Sequence, residues 1–175
     1  MGLIRRSFSF LDGTLFRKLF ITFVRPNIEY AQVVWAPHLV KHINMLENVQ
    51  KRATRLVDGM DNMDYSTRLA VLNLPTLAQR RRRGDMIELW KHFHSHNRAT
   101  LSSSFKPRDR VSRKHNYQLA HNRSNDGVRG IHRNSFYHRV TDVWNNLLEN
   151  VVKTKTDNGF ECDVDKHRRD EDITL

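Results

Sequence analysis

The sequence predicts a mainly α protein: a small helical bundle, then an irregular basic segment, then a C-terminal helix or helices. Three observations predict it. Apolar residues recur at the three- and four-residue spacing of a helix face over most of the first hundred positions and again after 134. Side chains that cap helices (Asp12, and Thr76 with Gln79) stand just ahead of two of those runs. Val111 to Asn122 alternates only weakly, which suits extended chain with at most a short strand. The expected organisation is a helical region at 1–98, a basic and loosely structured linker at 99–133, a C-terminal helical segment at 134–168 and an acidic tail at 169–175.

Leu15, Phe16, Leu19, Phe20, Phe23 and Val24 form one wide apolar face, opened by Asp12 as N-cap with Gly13 and Thr14 in the first turn. Pro26 has no amide hydrogen and interrupts the helix. Helix resumes over Asn27–Val34, and Trp35-Ala36-Pro37 closes it. The aromatics of this face are read as helix core rather than as base-stacking groups, because the stripe is continuous.

Leu39, Ile43, Leu46, Gln50, Ala53 and Val57 define the inner face of a second helix. At 100° per residue, Lys41, Asn44, Asn48, Lys51, Arg52 and Arg55 gather opposite, in a basic stripe with no acid. Solvated faces usually mix signs, so the stripe suits phosphate contact as well as plain solvation. Asp58-Gly59 supplies a stop. Asp64–Leu72 is a short third helix, ended by Leu74-Pro75. Thr76 and Gln79 make a capping box that opens a longer helix to about Asn97, with Met86, Leu89, Trp90 and Phe93 as its seam.

Arg80–Arg83 fall at the start of that helix. Four consecutive residues sweep 300° and cannot share one solvent face. Projected from the seam, Arg81 points away and Arg80 lies on the flank, both suited to phosphate contact. Arg82 and Arg83 fall on the seam's own side and need a carboxylate, since an unpaired buried charge costs several kcal/mol. Glu29 and Glu47, bordering earlier apolar faces, are the expected partners.

From 98 to 133 apolar residues are sparse, and Arg113 and Lys114 stand among nine Lys and Arg residues interleaved with His115 and Tyr117. That composition fits a flexible nucleic-acid-binding stretch or a solvated linker. Asn134–Asn146 returns to helix on Phe136, Val140, Val143, Trp144 and Leu147, and a weak last helix involves Phe160 and Val164.

The 30 Lys and Arg against 19 Asp and Glu leave a formal charge of +11. The surplus lies before residue 156, and the end is acidic. Such a balance favours a polyanion as partner, RNA or DNA backbone above all, since each phosphate neutralised releases counterions. A single cysteine, Cys162, excludes an internal disulfide framework and a Cys-x-x-Cys zinc site. No apolar run approaches the ~18–20 residues of a membrane span, and the opening MGLIRRSFSF has no signal-peptide core. The expectation is a nuclear or cytoplasmic protein, not secreted, with no membrane partner.

His92, His94 and His96 invite a metal reading, but on a helix only His92 and His96 share a face, and no acid or cysteine supports them. Cys162 and His167 lack any group that would activate the thiol. Phosphate-cradling, nucleophile-elbow and zinc-protease motifs are missing. No active site, metal site or cofactor is expected.

Leu19–Pro37, LFITFVRPNIEYAQVVWAP, resembles the segment just after the polymerase palm in reverse transcriptases of LINE-type, jockey-like retrotransposons that lack long terminal repeats. Gly2–Arg6 resembles the lead into that region, and Glu47–Thr54, Leu74–Leu77 with Arg80–Met86, Arg139-Val140 with Asp142–Asn145, and Asp165–His167 resemble its later blocks in the same order. The chain departs from the pattern at Leu148, where the family often has proline, and at Gly159–Cys162, where it is more basic. The resemblance implies a thumb-like and post-thumb fragment of an RNA-directed DNA polymerase. It would grip primer–template by its phosphates, and its apolar face would have met a polymerase palm or another protein. The family's catalytic Tyr-x-Asp-Asp turn lies on the palm, and this chain has no Asp-Asp pair, so the expectation is a truncated element copy that does no chemistry alone. A protein-interaction remnant with solvated basic faces is the other expectation.

Overall fold

The computed structural model describes residues 6–94, 105, 108, 115, 117–120 and 135–173, with side chains through 166. These residues are mainly helical, with one isolated bridge at Leu119. The chain divides into two compact units, Met1–Arg81 and Arg82–Leu175.

In the first unit, α1 (Gly13–Leu19) begins where Asp12 Oδ1 accepts the Leu15 amide at 2.6 Å. Phe16 and Phe20 are fully buried, with ring centroids 5.6 Å apart. Pro26 does interrupt the helix, and the way it does so is physical. Without an N–H it cannot donate to the Thr22 carbonyl, so the ladder has to break there. The chain widens ahead of it into a π turn, Phe20–Val24, in which the Arg25 amide reaches five residues back to the Phe20 carbonyl. α2 (Arg25–Glu29) then starts with Pro26 in its first turn, where the missing donor is harmless. Asn27 Nδ2 donates to the Phe23 carbonyl at 2.7 Å.

The helix expected to run unbroken to Val34 stops at Tyr30. Ala31 adopts the left-handed conformation, φ 50 and ψ 28, and a separate turn α3 (Gln32–Trp35) follows. Trp35 Nε1 donates to the Tyr30 carbonyl across the break. Ala36 is extended ahead of Pro37, as the residue before a proline must be. An L-residue at this φ carries about 1–2 kcal/mol of strain, and glycine's extra unfolded-state entropy offsets about 0.4–1 kcal/mol of the relief. Ala31→Gly should therefore stabilise the first unit by up to about 1 kcal/mol. A urea midpoint that falls on this substitution would mean the strain is not there.

α4 (Val40–Thr54) and α5 (Tyr65–Val71) complete this unit's core with the segments around them: Leu11, Phe16, Phe20, Ala53, Val57, Met60, Leu69, Leu72 and Leu74 are buried together. Only the C-terminal end of α4 is deeply packed. Leu39, expected on the inner face, is half exposed, and Val40 and Met45 are exposed too. Asp64 caps α5, accepting the Thr67 amide at 3.1 Å, and the Ser66 and Thr67 hydroxyls hold its carboxyl well below the usual carboxylate range.

Several polar groups inside this unit find partners. Gln50 Nε2 donates to the Pro75 carbonyl at 2.9 Å. Arg68, 2% exposed, donates from Nε to Thr54 Oγ1 at 3.0 Å and from a terminal nitrogen to the Met63 carbonyl at 2.6 Å. Its guanidinium carbon lies 5.8 Å from the Tyr65 ring centroid. Tyr65 donates its hydroxyl to Glu47, and burial followed by that bond pushes the phenol up.

α6 (Leu77–His94) opens with the capping box read from the sequence: the Thr76 amide donates to Gln79 Oε1 at 3.0 Å and the Gln79 amide to Thr76 Oγ1 at 3.1 Å. The division between units falls inside α6, between Arg81 and Arg82, whereas composition set the end of the helical region at 98. The difference arises because Met86, Leu89 and Trp90 belong to a core with later residues. Phe105, Leu119, Tyr137, Val140, Trp144, Leu147, Val151, Val152, Phe160 and Val164 are buried with them. Those later residues come largely from α7 (Phe136–Asn146), α8 (Glu149–Val152) and α9 (Asp157–Ile173).

Parts of the expected basic linker therefore serve as core. Phe105, His115, Gln118 and Leu119 are all buried. Asn145 stands in for a neighbouring strand there: its Oδ1 accepts the Leu119 amide at 2.8 Å and its Nδ2 donates to the Leu119 carbonyl at 2.9 Å. Composition hides this because a few well-placed apolar residues are outnumbered in the sequence by basic ones. α9, expected as a weak helix, runs 17 residues.

Candidate nucleic-acid interface

The solvent side of α4 carries the basic stripe. Lys41, Asn44, Asn48, Lys51, Arg52 and Arg55 are all exposed. α4 has one acid, Glu47, and it turns inward, where it takes the Tyr65 hydroxyl and accepts the Leu77 amide at 3.1 Å. A carboxylate at the start of α6 also complements that helix's dipole. Its removal from the surface leaves the outer face of α4 without negative charge. Lys41, Lys51, Arg52 and Arg55 make no ion pair among the described residues, so their charges are presented to solvent. Met45, Asn48, Lys51, Arg52 and Arg55 line an open groove of about 510 Å³. Arg52 Nε donates to the Asn48 carbonyl at 3.3 Å, and the residue stays exposed. Arg55 also borders a second groove, about 580 Å³, that contains Asp58 and Asp61. The acids mark one end of the basic stripe.

The arginine run is placed differently from its projection. Arg80, expected as a free phosphate contact, grips Glu29 with a fork, Nε to Oε1 at 2.9 Å and a terminal nitrogen to Oε2 at 2.8 Å. Arg81, expected to point outward, is buried at 8% exposure, and Arg82, expected on the seam, is exposed. The reason is that the buried side of α6 rotates along its length. Leu77 and Arg81, one turn apart, face inward at the start, while Met86, Leu89 and Trp90 do so further on. A seam read from the later turns misplaces the first one.

Arg83 is a partly buried, ion-paired arginine as expected, but its partners are neither Glu29 nor Glu47. Its Nε donates to Asp165 at 2.8 Å and its terminal nitrogen to Glu161 at 2.9 Å, both on α9, one turn apart. Burial lowers its proton affinity and the two carboxylates more than restore it. Glu29 belongs to Arg80 and Arg25, and Glu47 to Tyr65 and the Leu77 amide. Arg113 and Lys114 lie outside the described residues.

One strong pair has no signature in the sequence: Arg139 on α7 donates to both oxygens of Asp85, at 2.8 and 2.9 Å. The two residues are 54 positions apart on helices that only the folded chain brings together, and neither spacing nor composition links them.

His92 and His94 are engaged in ring contacts. His94 stacks on Trp90 at 4.2 Å between centroids with Nδ1 3.0 Å from the Trp90 carbonyl, and His92 packs against Phe93 and Phe105. His96 and His167 lie outside the residues whose side chains are described. Among the described residues no three His, Cys, Asp or Glu side chains converge as metal ligands. Cys162 is exposed. No helix among them is long and apolar enough to cross a membrane. No family model, curated protein or solved structure matches this chain.

Proposed function

We propose that the first unit binds the phosphate backbone of RNA or DNA through the outer face of α4, with Lys41, Lys51, Arg52 and Arg55 as the contact line. The observation that carries this reading is the acid-free exposed face, maintained because Glu47 is turned inward. On this reading the chain acts as a thumb-like fragment of a LINE-type reverse transcriptase, holding nucleic acid and doing no chemistry alone. Its place would be the nucleus or cytoplasm, where such a partner is found. A second reading, an interaction remnant of that polymerase, is favoured by the uncovered apolar groups. Phe23, Tyr30, Val34 and Val40 are more than 60% exposed, beside half-exposed Leu39.

A salt titration separates the two. Backbone binding gives an affinity that falls steeply with salt, each phosphate contact adding roughly 0.7–0.9 to the log–log slope. Replacing Lys51, Arg52 and Arg55 together by Ala should make the slope shallower by about two to three units and leave helix content unchanged, since all three face solvent. No primer should be extended with any divalent metal. Absence of binding at low salt would favour the interaction remnant, and measurable DNA synthesis would overturn both readings.

A further inference from the structure

Arg25 is a largely buried and poorly compensated cation of the first unit. It opens α2, with Glu29 one turn later on the same face. Arg80 occupies both oxygens of Glu29, and the pair that Arg25 makes with the same carboxylate is long, 3.8 Å from Nε to Oε1, beyond hydrogen-bond distance. The Arg25 side chain is 12% exposed, and its Nε is buried with no hydrogen-bond partner. Burial, then the like charges of Arg80 and Arg17 set against the opposing pull of Glu29, leave its proton affinity below that of an ordinary guanidinium. Arg25 and Arg80 thus share one carboxylate, an excess of one positive charge (2 − 1 = 1) in a partly desolvated setting, and exposed Arg17 adds its like charge.

A guanidinium presents five N–H donors in a planar fork suited to oxyanions, and a buried polar group without partners is a place to look for a bound ion. The Arg25 side chain keeps 12% of its surface exposed although Nε is buried, so part of the group other than Nε reaches solvent. An anion can therefore approach the fork from outside without displacing Glu29. We propose that Arg25, supported by Arg80 and Arg17, is an oxyanion site for a phosphate group, either free phosphate or a phosphodiester. A phosphate oxygen can accept from the Arg25 donors that Glu29 leaves unmet, while Arg80 stays on Glu29. The site does not depend on the binding face of α4 and stands or falls apart from it.

The test follows the arginine Nε–H resonances of the full chain by ¹H–¹⁵N NMR. The Arg25 signal is identified as the one missing from Arg25→Lys. Inorganic phosphate should shift it saturably, equally well in the wild type and in the variant lacking Lys51, Arg52 and Arg55. Arg25→Lys keeps the charge but not the fork, and should bind phosphate about tenfold more weakly by calorimetry. A short single-stranded RNA homopolymer that competes with phosphate for the Arg25 signal identifies a phosphodiester as the occupant. A homopolymer that leaves the phosphate shift intact identifies free phosphate. No saturable shift of Arg25 in the wild type, or a shift lost with the α4 triple substitution, overturns the site.

Discussion

Asp85→Ala should destabilise the second unit by about 3–5 kcal/mol, the loss expected when one partner of a buried ion pair is removed. Asp85 is 8% exposed at its side chain and Arg139 22%, and the two are joined by a fork of 2.8 and 2.9 Å. The substitution removes the carboxylate that this fork grips while the guanidinium stays mostly out of water. Replacing both partners with apolar residues of similar size, Asp85→Leu with Arg139→Met, should cost far less than Asp85→Ala alone, because neither charge then has to be desolvated. Urea unfolding monitored by circular dichroism gives both values. A loss for Asp85→Ala below about 1 kcal/mol would put the pair in the class of exposed surface pairs.

Trp144→Ala should cost a similar amount, about 3–5 kcal/mol, for a different reason. Trp144 is fully buried and sits among the aromatic rings of the second unit. Its ring centroid lies 5.5 Å from that of Phe93 and 6.2 Å from that of Phe160. Its Nε1 donates to the Tyr117 carbonyl at 2.9 Å, which anchors a loop residue to α7. Alanine leaves a large cavity and an unmet carbonyl. Phenylalanine fills much of the cavity and still loses the donor, so Trp144→Phe should lie clearly between wild type and Trp144→Ala. Near-ultraviolet circular dichroism should lose its aromatic signal in the alanine variant before helix content falls. Equal stability of the two variants would mean that packing around the indole matters little.

What could be read from the sequence was local. Asp12 and the Thr76–Gln79 box start helices through bonds that span three residues, so their roles follow from order alone. The basic face of α4 was legible for the same reason, since a helix wheel needs only spacing. The ion pairs were not. Arg80 and Glu29 are 51 positions apart and Arg83 and Asp165 are 82 apart, and no periodicity relates residues on different helices. The charge run showed that some arginine had to be paired; it could not show which one, because the buried side of α6 changes along the helix. The left-handed break at Ala31 was equally hidden, since alanine is a residue that favours helix and gives no warning of a turn.

The π turn before Pro26 also bears on how this segment tolerates insertion and deletion. A turn closed by a five-residue bond holds one residue more than a regular helix needs, while the faces before and after it keep their phase. The extra residue and the proline are therefore coupled. A related chain without proline at this position could be one residue shorter between Phe20 and Val24 and still bury Phe16 and the residues that follow. One that kept the proline and lost the residue would rotate everything downstream by about 100°.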